Sequence, residues 1–295
     1  MNRRKDDGAK TGKYLLWTFL PAYLLQAGTA LLFKSGNRAG GQLVMTGMML
    51  VPALGVLLSG GSLKGLGWRV QARKNIRAIL AAWFAPALLT AAGAALYFLV
   101  FPGQFDLSGS GLLSEMGKEA AEQLQAQGIS YSQYVLLAAL GALTYAPLLN
   151  TFAALGEEIG WRGFLYPRLK ERYGRKTGLK LGGILWGIWH WPLIWLIGYE
   201  YGTEYAGFPA AGMLLFCVFT AACGILCDRL YEKSGSIWVP ALFHGALNAA
   251  ATLPMAVLMS GTGAGRLLGP APNGLIAGLP LAATAALLLM KEKER

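Results

Sequence analysis

Charge is thin in this chain. Only 14% of the residues are Asp, Glu, Lys or Arg, where a soluble domain carries about 25%. Histidine is scarcer still: His190 and His244 are the only two in 295 residues. The three cysteines, Cys217, Cys223 and Cys227, fall in one apolar run. An odd set inside a membrane run gives no disulfide framework. Cys223 and Cys227 share a helix face, but small apolar packing is the favoured reading over metal binding. Repeats of fixed period and a separate soluble domain are also missing. These absences exclude an ordinary soluble enzyme, a disulfide scaffold and a solenoid.

What is present is apolar sequence, 55% of the chain, in long unbroken stretches. That pattern predicts an all-α, polytopic membrane protein. Eight spans are expected, at 14–33, 42–58, 78–101, 134–156, 181–198, 209–227, 237–259 and 274–290. The second and last are short, and Pro52, Gly55 and Gly60 interrupt the second. Helix breakers are tolerated in a bundle when neighbours satisfy the freed backbone groups. Residues 1–295 read as one membrane domain.

The net charge of +11 is a topology signal and does not point to nucleic acid. With an inner amino terminus, 22 of the 26 Lys and Arg lie on the inner side, and Lys34, Arg38, Lys118 and Arg266 lie outside. Such a bias fits both termini in the cytoplasm. Anionic membrane lipids are expected partners of the basic face. The segment Asn2-Arg3-Arg4-Lys5 precedes the first span. The apolar run behind it is longer than a signal-peptide core and has no clear small-residue cleavage site, so an uncleaved anchor is expected.

Two loops stand out. The outer loop 102–133 holds an acidic, Gln-rich stretch, Glu115–Gln127, expected to form a short amphipathic surface helix. Loop 260–273 is rich in Gly and Pro. It lacks the strand-to-helix context and the Gly-Lys-Ser/Thr ending of a phosphate loop, so it reads as a flexible connector.

Against this background the buried polar residues are conspicuous, because an ionisable group at membrane depth costs about 2.5–3.5 kcal/mol on insertion scales. Glu157 and Glu158 sit side by side, followed by Arg162. On a helix Glu158 and Arg162 share a face and can form a charge-assisted pair. Glu157 points about 100° away and is left without that partner. A carboxylate in a cavity suits a general base, although both acids pairing with Arg162 is the structural alternative. Trp186-x-x-x-His190-Trp191-Pro192 follows in the fifth span. Trp186 shares a face with His190, and Pro192 loosens the helix beyond it. His244-x-x-x-Asn248 lies in the seventh span, with both side chains on one face, suited to clamping an oxyanion or to an interhelical polar clasp. With the topology above, all three motifs are expected to border one cavity open to the cytoplasm. They supply a base, a histidine that shares water activation, and an oxyanion clamp.

These motifs resemble those of the CAAX-processing and bacteriocin-processing (CPBP, or Abi) intramembrane endopeptidases, which include the type II CAAX prenyl endopeptidases. The pattern is Glu-Glu-x-x-x-Arg, Phe-x-x-x-His and His-x-x-x-Asn, each on its own membrane helix. The similarity covers roughly 140–255 and extends to the flanks Gly163-Phe164-Leu165-Tyr166-Pro167 and Ser236-Ile237-Trp238. Trp186 stands where the family usually has Phe. The resemblance implies that Glu157 is the base activating water, helped by His190. It implies that His244 and Asn248 bind the oxyanion, and that Glu158 and Arg162 hold the site in shape. It also implies a peptide or lipidated-protein substrate and a multi-pass position in a bacterial plasma membrane. Zinc on Glu157, His190 and His244 is a second reading, and a metal-free glutamate mechanism is favoured. A non-proteolytic immunity or scaffold protein and a proton-coupled transporter are the competing functions.

Overall fold

The structure is a computed structural model describing residues 2–116, 122, 126–261 and 263–292. Every regular element among the described residues is helical, and an isolated antiparallel bridge joins Phe105 to Leu258. The chain starts with α1 (Asn2–Lys34), α2 (Arg38–Met48), α3 (Val51–Leu58) and α4 (Ala72–Val100), then a short α5 (Ser110–Met116). Next come α6 (Tyr131–Leu143), α7 (Ala146–Gly160), a π-helical turn (Trp161–Leu165) and α8 (Tyr166–Tyr173). The rest is α9 (Arg175–Trp189), α10 (Trp191–Ile197), α11 (Ala210–Ser234), α12 (Trp238–Ala251) and α13 (Leu279–Met290). Most of the expected surface helix at 115–127 lies outside the described residues.

Among the described residues, three helices are long and apolar enough to cross a membrane: Asp7–Lys34, Ala72–Val100 and Ala210–Ser234. Two bent pairs raise that to five when each counts as one span. The pair α2–α3 bends by 41°, and Tyr131–Leu143 bends by 54° against Ala146–Tyr173. Both bends fall just before a proline near the start of the second helix, Pro52 and Pro147. A proline is tolerated in a first helical turn but cannot continue the preceding helix. Leu24, Leu31, Leu43, Leu88, Leu99 and Phe152 stay exposed on the outer faces, as lipid-facing positions do.

The ends of several elements differ from the hydropathy boundaries. The fourth apolar run ends at 156, yet the helical path continues through the π turn to Tyr173. Glu157, Glu158 and Arg162 are buried there; Glu158 and Arg162 form an ion pair, and Glu157 accepts from two indole N–H groups. The sixth run ends at 227, yet α11 reaches Ser234. Asp228 is carried into the interior because Lys170 of α8 donates to both its oxygens at 2.7 and 2.8 Å. Loop 260–273 is a packed segment over its second half: residues 269–274 are buried. Asn273 Nδ2 donates to Glu200 at 2.9 Å, and Tyr201 Oη donates to the Asn273 carbonyl at 2.9 Å.

Helix α12 is the interior element, with Val239–Leu247 buried without a gap, as expected of a helix apolar on all faces. It packs on α7, α4 and α11. Small residues permit this. A Cβ on Gly245 would come within 2.6 Å of the Thr151 backbone nitrogen. Likewise, a Cβ on Gly183 of α9 would lie 2.2 Å from the Cα of Ala221 on α11. Close backbone approach through small residues is the usual device of membrane helix packing.

Candidate active site

The site forms where α7, α9 and α12 meet. Glu157 and Glu158 close α7, and Trp161 and Arg162 open the π-helical turn. One-turn π segments inside α-helices recur at functional sites. The wider turn keeps both i, i+4 contacts of the acids: Glu158 with Arg162 and Glu157 with Trp161.

Glu158 is fully buried and engaged at both oxygens. Arg162 Nε lies 3.1 Å from Oε2, and His244 Nδ1 lies 2.9 Å from Oε1. The guanidinium is fully buried and stacks over the Trp186 and Tyr166 rings, 4.3 and 5.0 Å from their centroids. Such desolvated cation–π contacts contribute about 2 kcal/mol. Glu157 is only 2% exposed. Its Oε2 accepts from two indoles, Trp186 Nε1–H at 2.7 Å and Trp161 Nε1–H at 3.1 Å. No described residue donates to Oε1.

The two histidines are each held by Nδ1. A carbonyl can only accept, so His190 Nδ1–H donates to the Trp186 carbonyl, at 2.9 Å. Its Nε2 is then a lone-pair acceptor in the neutral ring. Trp189, Tyr199 and Phe216 pack around this ring, at centroid distances of 4.8, 6.3 and 4.8 Å. Glu157 and His244 both lie within electrostatic range of His190. His244 presents its ring to Trp186 at 5.2 Å, and with Nδ1 on Glu158 it keeps Nε2 for other partners.

The helix breaks at His190, which ends α9 and begins α10. Pro192 supplies the cause, as its position predicts. The freed backbone groups are not left open. Gln26 of α1 donates to the Trp189 carbonyl at 2.7 Å and accepts from the Leu193 N–H at 3.1 Å. Tyr23 Oη donates to the Ile188 carbonyl at 3.0 Å.

Of the residues expected from sequence, Glu157, Glu158, Arg162, Trp186, His190 and His244 converge. Asn248 is exposed one turn beyond His244, and no contact to the other members ties it in. The cysteines are free and buried in α11. Among the described residues no three His, Cys, Asp or Glu are grouped to hold a metal ion. Glu157 Oε1 and the Nε2 atoms of His190 and His244 are unengaged among the described residues, but this zinc set does not form such a group as arranged. Sequence reading missed Trp161 and Gln26. The i, i+4 spacing of Glu157 and Trp161 was a usable signal, as was a Gln within an otherwise apolar run.

Comparison with known proteins points to the same segment. A family model described as type II CAAX prenyl endopeptidase Rce1-like matches residues 134–250. CAAX prenyl protease 2 of Methanococcus maripaludis is 44% identical over 97 residues. That match spans 32% of this chain and 35% of that relative, about a third of each. The stretch that brings Glu157, Glu158, Arg162, His190 and His244 together is similar to the Rce1-like type II CAAX prenyl endopeptidases.

Proposed function

We propose that this chain is an intramembrane endopeptidase that hydrolyses peptide bonds of membrane-associated, prenylated or otherwise lipidated substrates near the cytoplasmic side. The observation that carries the reading is the convergence on Trp186. Its indole donates to Glu157, its ring lies against Arg162 and His244, and its carbonyl accepts from His190.

Glu157 Oε1 and His190 Nε2 are the acceptors for a water molecule between them. Glu157 takes one water proton as the oxygen attacks the scissile carbonyl carbon. The C=O electron pair moves to the oxygen, where the Asn248 amide donates and His244, as an imidazolium with Nδ1–H on Glu158, donates through Nε2–H. As the intermediate collapses, the C–N bond breaks and Glu157 returns the proton to the leaving amine. Positioned acid–base transfer contributes about 10²–10⁴-fold in rate, and an oxyanion donor about 10²–10³-fold. Glu158 and Arg162 act indirectly, by fixing His244 and the α7 end.

In the same reading the whole chain is one membrane domain with its catalytic core at 140–255. It crosses the bacterial plasma membrane eight times, with both termini cytoplasmic. The apolar segments α9–α10, α12 and α13 supply the crossings beyond the longer helices. The short α13 is accommodated by local bilayer thinning. The bias of Lys and Arg to one side supports the orientation and a role for anionic lipids.

The test uses purified full-length protein in lipid vesicles with a farnesylated peptide ending in a CAAX sequence, in ¹⁸O-water. Cleavage with one ¹⁸O atom in the new carboxylate is the expected result. An intact peptide across a panel of prenylated and unprenylated substrates would refute the activity.

A further inference from the structure

The reading of Glu157 as the base leaves open what holds its carboxylate in place, and the geometry points to a pair of positioning residues: Trp161 and Trp186 clamp Oε2 through their indole N–H groups and leave Oε1 as the atom that takes the water proton. The inference rests on the proposed function above and adds roles for two tryptophans.

The clamp follows from three observations. Both indoles donate to the same oxygen, at 2.7 Å from Trp186 and 3.1 Å from Trp161. The two rings come from different segments, the π turn after α7 and the last turn of α9, so the carboxylate is fixed from two directions. Each indole is itself held. Trp161 is fully buried and meets Tyr14 and Trp189 edge-on, at 6.2 and 6.1 Å. Trp186 is pinned between the Arg162 guanidinium and the His244 ring.

An indole nitrogen is a donor only. It therefore cannot exchange roles with the carboxylate, and it offers no competing acceptor for the water. Two donors on one oxygen also hold the carboxylate in one orientation, so Oε1 stays presented to the water. A phenylalanine at position 186, which the related motif usually carries, would keep the ring but could not donate. Trp186 therefore makes a contact here that this substitution removes cleanly.

The expected consequence is catalytic and not merely structural. Replacing Trp186 by the isostere 3-benzothienylalanine keeps the bicyclic shape and exchanges N–H for sulfur. Loss of one hydrogen bond to a charged group corresponds to a fall in kcat of about tenfold to hundredfold. KM should stay within about twofold, because the lost contact is to the base and not to the substrate. Trp186→Phe should match the isostere, and the isostere at 161 should show a smaller loss, in line with its longer bond.

A second readout does not depend on activity. In protein labelled with ¹⁵N at the indole nitrogens of its nine tryptophans, Glu157→Gln should displace the Trp161 and Trp186 resonances and leave the others nearly in place. Wild-type kcat in both isostere variants, with Glu157→Gln inactive, would overturn the clamp and leave the base assignment standing. Unmoved Trp161 and Trp186 resonances would overturn it at the level of the contact. Full activity of Glu157→Gln would instead remove the base, and the clamp with it.

Discussion

The ion pair of Glu158 and Arg162 gives the sharpest energetic prediction. Both side chains are fully buried, and Nε lies 3.1 Å from Oε2. Arg162→Met removes the cation while keeping much of the volume between Trp186 and Tyr166. It leaves the Glu158 carboxylate buried, with His244 Nδ1 as its remaining partner at 2.9 Å. Removing one member of a buried pair costs about 3–5 kcal/mol, and the lost stacking over two rings adds to that. Glu158→Gln/Arg162→Met removes both charges, so it should recover part of the loss. The pair should therefore couple, with the double variant more stable than Arg162→Met alone by about 1–3 kcal/mol. The assay is reversible unfolding of the purified protein in bicelles, run for the wild type, both single variants and the double. Additive effects, or an Arg162→Met cost below about 1 kcal/mol as for an exposed pair, would refute the buried-pair description.

Two further predictions concern the surroundings of the site. Gln26→Leu should lower stability by about 1–3 kcal/mol, because it orphans a buried carbonyl at Trp189 and leaves the Leu193 N–H with the His190 carbonyl alone. It should also speed hydrogen exchange at residues 190–194, and exchange unchanged there would contradict the role given to Gln26. Outside the membrane segments, Asp106 accepts from the Ser108 and Ser110 N–H groups at 2.7 and 2.9 Å and from the Ser110 hydroxyl. Interactions with the Ser108 and Ser110 side chains, and then these backbone bonds, hold its carboxyl well below the usual carboxylate range. A folded-state value below the unfolded one means that the stabilisation is full above the unfolded pKa, about 3.9. It is lost as pH falls through the folded value. The start of α5 should therefore stay ordered through mild acid in the wild type, as read by amide resonances of Ser108 and Ser110. Asp106→Ala should show it loosened at every pH.

The parts of this site that follow from spacing within one helix were legible in the sequence. Glu158 and Arg162 meet because they are four apart, and the chain breaks at His190 because Pro192 follows. The part that depends on tertiary placement was not. Nothing local sets Trp186 against Glu157, since α9 has to be brought onto the end of α7 first. The π turn at Trp161–Leu165 also left no pattern in the residue types. Hydropathy set the ends of α7 and α11 too early for one physical reason. It scores Glu157, Glu158, Arg162 and Asp228 as isolated charges, whereas the fold buries Glu158 with Arg162 and Asp228 with Lys170, and holds Glu157 on two indole donors. Loop 260–273 was misread for a related reason: its Gly and Pro content suggests mobility, and the buried Asn273 contacts that order part of it come from distant segments.

The most direct measurement is the single-turnover rate of Glu157→Gln against wild type on the same prenylated peptide in vesicles, with folding of both confirmed by thermal unfolding. Gln keeps the shape and can still accept the two indole hydrogen bonds at its carbonyl oxygen, but it cannot take the water proton. A fall of at least about 10²-fold with a near-unchanged melting temperature is the predicted result. Cleavage by Glu157→Gln at the wild-type rate would contradict Glu157 as the base.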